Sequence, residues 1–331
     1  ALIGAAIVMA QAIAGVVAIT VQYRRAIAPR LASLALHYAV ALVLLATGAL
    51  LGFLISWSNA RGRSGLADIF YLAHTTTMLL GFVGTTVLGT LTVLWPTMLR
   101  TPMEPVAPRW TTRGLPYLVG GTALVAACGL WPPLAGLGTL VYLGGACAVL
   151  VPAYRTARRV PPTSFATASA TASVAWFVGC VAVLGARMAL ADDAAAAREV
   201  IHSLRLPLAA GFALQILVAA LSYLTPVMLG GGPAATRATN AIMDRFAAYR
   251  VTAANACLLL ALYPGAPWQV RVVAGALAAL VTSYLLAGMI LSLREVSQRK
   301  RPPRTPRTPA DADPTSDPAG HRPAQPRRGT R

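Results

Sequence analysis

The sequence predicts an all-α fold: a polytopic transmembrane helical bundle of about nine spans, with parallel four-helix repeat units. Three observations carry this. Hydrophobic residues make up 56% of the 331 positions and charged residues only 11%, where a soluble domain carries about 25% charged residues. Apolar runs recur along most of the chain, each long enough for a hydrocarbon core of roughly 30 Å. One of those runs also repeats, the stretch from Leu80 returning in the stretch from Ala210.

The runs cover approximately 1–21, 31–57, 66–96, 115–131, 134–153, 164–190, 204–229, 249–263 and 268–293. The fourth and fifth are parted by Trp131-Pro132-Pro133, a helix break. The eighth is short and ends at Tyr263-Pro264-Gly265. Residues 1–296 therefore form the transmembrane domain. Residues 297–331 hold eight prolines and no large apolar side chain, and are expected to be a disordered, basic, cytoplasmic tail.

Charge sets an expected orientation. Lys and Arg total 22 in alternate connections plus the tail, against 6 in the others. Without the tail the ratio is still 12 to 6. Basic loops stay in the cytoplasm, so the chain start is expected outside and the tail inside. The net charge of +18 includes only one lysine. It is read as contact with anionic lipid rather than with nucleic acid. The Arg-rich composition fits a high-GC bacterial genome and a cytoplasmic-membrane location. The chain opens without Met and already in an apolar run, so either its N-terminus was removed or it is expected to be a fragment. Cys128, Cys147, Cys180 and Cys257 lie in apolar runs without a CxxC pair, and are read as packing residues.

The repeat pairs Leu80–Leu99, LGFVGTTVLGTLTVLWPTML, with Ala210–Leu229, AGFALQILVAALSYLTPVML. Seven of twenty positions are identical, among them Gly81/Gly211, Phe82/Phe212, Pro96/Pro226 and Met98/Met228. The two segments lie four spans apart and should run in the same direction. Threonines and Gly81, Gly84 and Gly89 along the first copy read as close helix packing. Gln215, Tyr223 and Asn255 read as interhelical hydrogen-bonders, and Gly230-Gly231-Gly232-Pro233 as a helix stop.

Ionisable groups within spans are functional candidates. His74 and His202 should differ in depth by only about 3 Å, from the rise per residue of a helix. His37 enters the second span about 10 Å from the other end by the same rise, and is a secondary candidate. Asp68, Arg187, Asp192, Asp193, Glu199, Arg205 and Arg271 form a rim near His202. They read either as solvated, snorkelling side chains or as partners for the carboxylates of a cofactor or anionic substrate.

The segment HTTTMLLGFVGTTVLGTLTVLWPTMLR, His74–Arg100, resembles the histidine-bearing helix of haem–copper oxidase subunit I, especially the cbb3 type. Gly81-Phe82, Gly89 and Pro96 are in place, whereas Thr76 stands where that family has a second histidine. Leu91–Met103 and Leu221–Arg245 resemble polytopic membrane regions associated with multicopper oxidases of high-GC Gram-positive bacteria. The resemblance implies a redox-related membrane protein, binding haem or relaying electrons beside a multicopper oxidase. Their similar depth on equivalent helices of the repeat makes His74 and His202 the expected ligands of one haem iron, with Arg205 or Arg187 meeting the propionates. The copper ligand motifs of the oxidase module do not occur in the sequence, so copper is not expected within this chain. A permease for a small molecule or metal, and an anchor or sensor without catalysis, are the alternatives.

Overall fold

The computed structural model describes residues 2–25 and 32–300, and all the regular structure among them is helical. Ten helices follow one another among the described residues. They are α1 (Leu2–Arg25), α2 (Ala32–Ala60), α3 (Ser64–Met98), α4 (Ala107–Ala126), α5 (Pro133–Arg159), α6 (Phe165–Ala189), α7 (Ala194–Leu229), α8 (Gly232–Met243), α9 (Ala247–Leu262) and α10 (Trp268–Lys300). Seven of them, all but α4, α8 and α9, are long and apolar enough to cross a membrane. In α4 the polar turn Trp110–Arg113 lowers the apolarity, and α9 has only 16 residues. Each nevertheless forms a hairpin with a spanning neighbour, α4 with α5 and α9 with α10. The sequence reading expected about nine spans; seven described helices meet the length and apolarity of a span, and α4 and α9 are the two expected spans that fall short.

The helices follow from local rules. Ser164 caps α6 by accepting the Thr167 N–H, and Asp193 caps α7 by accepting the Ala196 N–H at 2.8 Å. Pro133 sits at the start of α5, where no N–H is missed. Gly230, Gly231 and Gly232 all have positive φ and end α7. The α4–α5 hairpin is held by backbone proximity. A Cβ on Gly121 would stand 2.5 Å from the Tyr142 nitrogen, and one on Gly114 would stand 2.7 Å from the Gly145 oxygen.

Two helix starts differ most from the sequence reading. α4 begins at Ala107 rather than 115, because Pro108 at its first turn starts the helix early. α7 begins at Ala194 rather than 204, since the Asp193 cap and an alanine run extend it through the charged segment. His202 thus lies on a continuous helix and not in a connection. Of the expected tail, residues 301–331 lie outside the described residues, and α10 runs on to Lys300, braced by the Glu295–Arg299 pair.

The repeat governs the architecture. α3 is α-helical over Ser64–Thr76, a π-helix over Thr77–Gly84 and α-helical again over Thr85–Met98. α7 is α-helical over Ala194–Leu206, a π-helix over Pro207–Leu214 and α-helical over Gln215–Leu229. The two wide turns begin and end at equivalent positions of the repeat, Thr77 with Pro207 and Gly84 with Leu214. A π-turn displaces carbonyls from the regular ladder, and in each copy a neighbouring hydroxyl donates to one. Tyr142 Oη reaches the Leu80 carbonyl at 3.0 Å, and Ser173 Oγ the Phe212 carbonyl at 3.0 Å.

The two copies run parallel. Asp68, near the start of α3, pairs with Arg198, near the start of α7. Leu91, Trp95 and Met98, near the end of α3, share a cluster with Ala219 and Tyr223 of α7. Each copy leans on the helix before it through its shared glycine position. Gly81 sits against Leu44 of α2, and Gly211 against Trp176 of α6. The main core, including Leu72, Leu118, Tyr142, Phe177, Ile201 and Phe212, fills the space between the units. Outward faces such as Leu140, Leu217, Leu259 and Leu286 are exposed, as lipid contact requires.

Candidate functional site

At the end of the bundle where α3 and α7 start, four side chains form one cluster. Asp68 and Tyr71 are one turn apart on α3, and Arg198 and His202 are one turn apart on α7. Arg198 Nη1 donates to Asp68 Oδ1 at 2.7 Å, and its guanidinium lies 4.4 Å from the Tyr71 ring centre. Its Nε donates to His202 Nε2 at 3.4 Å, and the His202 ring stacks on Tyr71 at 5.7 Å. Asp68 and Arg198 are equivalent positions of the repeat. The pair therefore joins the two units at corresponding points. The sequence reading placed Asp68 on the rim near His202, but counted Arg198 only as a loop charge and missed Tyr71, whose spacing from Asp68 was the available signal.

His74, further along α3 than Asp68, faces a different neighbour. Its Nδ1 lies 2.8 Å from the Gly48 carbonyl oxygen of α2. A carbonyl only accepts, so Nδ1 carries the proton and Nε2 is the ring nitrogen left for another partner. Gly52 makes the room, since a Cβ there would stand 3.2 Å from the imidazole. His74 is thus held by α2, whereas His202 is held by Tyr71 and Arg198, and no partner is shared. His37 is fully buried near the far end, beside Gly89. Arg187 is exposed and donates to Ser203 Oγ at 3.0 Å, while Arg205 is exposed at the surface of α7.

A second polar network lies in the other unit. Trp176 Nε1 and Gln215 Nε2 both donate to Asn255 Oδ1, at 2.7 and 2.9 Å, and Asn255 Nδ2 donates to the Val251 carbonyl at 2.8 Å. This ties α6, α7 and α9 together, in the interhelical role expected for Gln215 and Asn255. The network borders an open, mostly apolar groove of about 700 Å³ that includes Cys180, Pro207 and Tyr263.

At the opposite end, where α3 and α7 finish, a polar cavity of about 260 Å³ opens between the units. Its walls include Arg100, Thr163, Ser222, Tyr223, Asn240 and Asp244. Asp244 Oδ1 accepts the Phe165 N–H at 2.9 Å. Burial pushes its carboxyl above the ordinary range, opposed by that hydrogen bond and by Arg100 and Arg250. Arg250, counted among loop charges in the sequence, is buried on α9. It lies between the rings of Phe165 (3.7 Å) and Tyr284 (4.1 Å) and donates to the Met243 carbonyl at 2.8 Å. Arginine-counting could not separate it from a surface cation, because the flanking aromatics come from α6 and α10.

Among the described residues no group of three or more His, Cys, Asp and Glu gathers at metal-binding distance, and the four cysteines are free thiols. Comparison with family models, with curated proteins and with solved structures gives no match.

Proposed function

We propose that the chain is a redox-associated membrane protein resembling haem–copper oxidase subunit I, in which His74 is an axial haem ligand. One observation carries this reading. The Nδ1–H of His74 is fixed on the Gly48 carbonyl, the support that metal-ligating imidazoles use to present Nε2. Bound haem would supply one-electron chemistry within the bilayer. His202 fits less directly as the opposite ligand, because its Nε2 receives Arg198 and its ring rests on Tyr71. Arg205, exposed near the same end, is free to turn toward a propionate, whereas Arg187 would first leave Ser203. The expected partner is a multicopper oxidase at the outer face of a bacterial cytoplasmic membrane, with the Asp68 end outside. The test is a reduced-minus-oxidised spectrum of protein purified from haem-replete cells. A haem band lost in His74→Ala supports the reading, and its further change in His202→Ala adds the second ligand. No band in the wild type, or a band that survives His74→Ala, overturns it.

A second reading, a small-solute carrier, rests on a separate observation. The same two parallel units are tied by Asp68–Arg198 at one end and parted by the 260 Å³ cavity at the other. A carrier that rocks about a central site alternates such ends. A cysteine at Ser222, in a background lacking the four native thiols, should then react from the cavity side alone. With Asp68→Asn releasing the other end, that reactivity should fall. Unchanged reactivity removes this reading.

A further inference from the structure

We infer that the cavity between Arg100 and Asp244 is a binding site for a small zwitterion, a primary ammonium a few bonds from a phosphate or carboxylate. The inference is independent of haem. An acid and a base face the same cavity without bonding to each other. The ion pairs among the described residues are Glu104–Arg159, Asp68–Arg198 and Glu295–Arg299. Arg100 and Asp244 are close enough to interact electrostatically, yet the space between them stays open.

Two further observations point to an occupant. Ser222 is only 3% exposed, its Oγ has no hydrogen-bond partner, and it lines this cavity. A buried hydroxyl left unmade costs about 1–3 kcal/mol, which a ligand donor would recover. Arg100 has a φ of +53°, a left-handed conformation that costs a non-glycine residue about 1 kcal/mol or more. The equivalent residue of the second unit is Gly230, with a φ of +61°. Where glycine serves the turn in one unit, the other keeps an arginine whose side chain lines the cavity.

The polar groups divide by sign. Asp244, Ser222 and the Asn240 side-chain carbonyl offer acceptors for the three N–H donors of an ammonium. Arg100 and the Thr163 hydroxyl offer donors for an anionic oxygen. A quaternary ammonium has no N–H and would leave the Ser222 oxygen unpaired, so the site should reject it. The same chemistry occurs in free phosphoethanolamine and in the phosphatidylethanolamine headgroup, and the cavity lies at a bundle end, within reach of either.

The test is calorimetric titration of the purified full chain with phosphoethanolamine, phosphocholine, ethanolamine alone and inorganic phosphate alone. Phosphoethanolamine should bind, with the other three weaker by about tenfold or more. Asp244→Asn and Arg100→Gln should each weaken it by about tenfold. Asp244→Asn keeps an oxygen for the Phe165 N–H, so folding loss is checked separately by its melting temperature. Repetition in nanodiscs of phosphatidylcholine with and without phosphatidylethanolamine identifies the source. Competition by phosphatidylethanolamine assigns the lipid headgroup, and its absence a soluble solute. No binding of phosphoethanolamine, equal binding of its two halves, or wild-type affinity in both variants overturns the inference.

Discussion

α3 and α7 are the same helix built twice, and their equivalent positions carry different chemistry. Both bend through a π-turn at the same place and both set a glycine against the preceding helix. Yet Asp68 answers to Arg198, His74 to Leu204, Gly84 to Leu214 and Arg100 to Gly230. The frame is kept where backbone proximity dictates it, and freed where side chains face a partner. Opposite charges at equivalent points turn the repeat itself into a joint. With a histidine in one copy and a leucine in the other at this position, His74 is held by a carbonyl of the preceding helix, and the second unit is tied by the Trp176, Gln215 and Asn255 network instead.

Copying one unit into the other breaks the comparison where packing differs most. Gly84→Leu reproduces the residue of the second unit, but its Cβ would stand 2.9 Å from Phe177 Cζ and closer still to the Tyr142 hydroxyl. We expect a loss of about 3 kcal/mol, read as a lower melting temperature in detergent. The reverse change, Leu214→Gly, on an exposed face, should cost about 1 kcal/mol. Equal losses would mean that the two π-turns are packed alike.

The joint comes next. Asp68 and Arg198 are 19% and 40% exposed, between the buried and the surface limits. Asp68→Arg alone should therefore cost about 1–2 kcal/mol. Combining it with Arg198→Asp should restore more than half, because the positions are equivalent and Tyr71 remains one turn from residue 68. A double variant no better than the single would show that the Tyr71 and His202 contacts of Arg198 outweigh the charge pair.

Asp244 gives a smaller effect with a defined sign. Asp244→Ala leaves the first N–H of α6 unpaired and should cost about 1 kcal/mol, whereas Asp244→Asn keeps that bond. Burial holds the folded carboxyl above its ordinary range, so the folded state binds this proton more tightly than the unfolded chain. The penalty for its charge is fully present above the raised value and is relieved as pH falls. From about pH 7 to about pH 4 the wild type should gain stability relative to Asp244→Asn. A parallel pair of melting curves across that range contradicts the assignment.

The smallest change sharpens the contrast at the helix ends. Arg100→Gly should stabilise the fold by up to about 1 kcal/mol, while removing a wall of the polar cavity. Gly230→Arg should cost a similar amount. Chemical-denaturation midpoints would show whether the first unit carries strain that the second lacks.

The sequence made the frame legible because membrane helices and their repeat are written in apolar length and in Gly, Pro and Phe positions. The fixed offset from Gly81 to Gly211 and from Pro96 to Pro226 predicted the parallel helices. The structure extends that offset to both π-turns, which no residue pattern announced. Local signals also misled. The charged stretch before Leu204 looked like a connection, but a capping aspartate and alanines make it helix. Depth along the helix placed His74 and His202 level with each other. It did not give rotation about the axis, which turns His74 to Gly48 and leaves His202 with Tyr71 and Arg198. The Arg100–Asp244 cavity was hidden for a similar reason. Its walls come from the end of α3, the start of α6 and the stretch after α8, which only the fold brings together.

The hydroxyls that complete the two π-turns also set an order of assembly. Ser173 precedes the Phe212 carbonyl by 39 residues, so its helix is already made when the second turn is synthesised. Tyr142 follows the Leu80 carbonyl by 62 residues. At roughly 5–20 residues per second of synthesis, the first turn waits about 3–12 s for its partner. During that interval nothing from α5 anchors the displaced carbonyl, and α3 is at liberty to run as a plain α-helix. Past the wide turn this would rotate the following face relative to the preceding one. The arrival of α5 would then add the Tyr142 bond to the one the Leu80 carbonyl accepts from the Thr85 N–H, favouring the wide turn and with it the angular position of every residue from Thr85 to Met98. Removing the Tyr142 hydroxyl should slow the appearance of a protease-resistant α3 while leaving α7 on schedule.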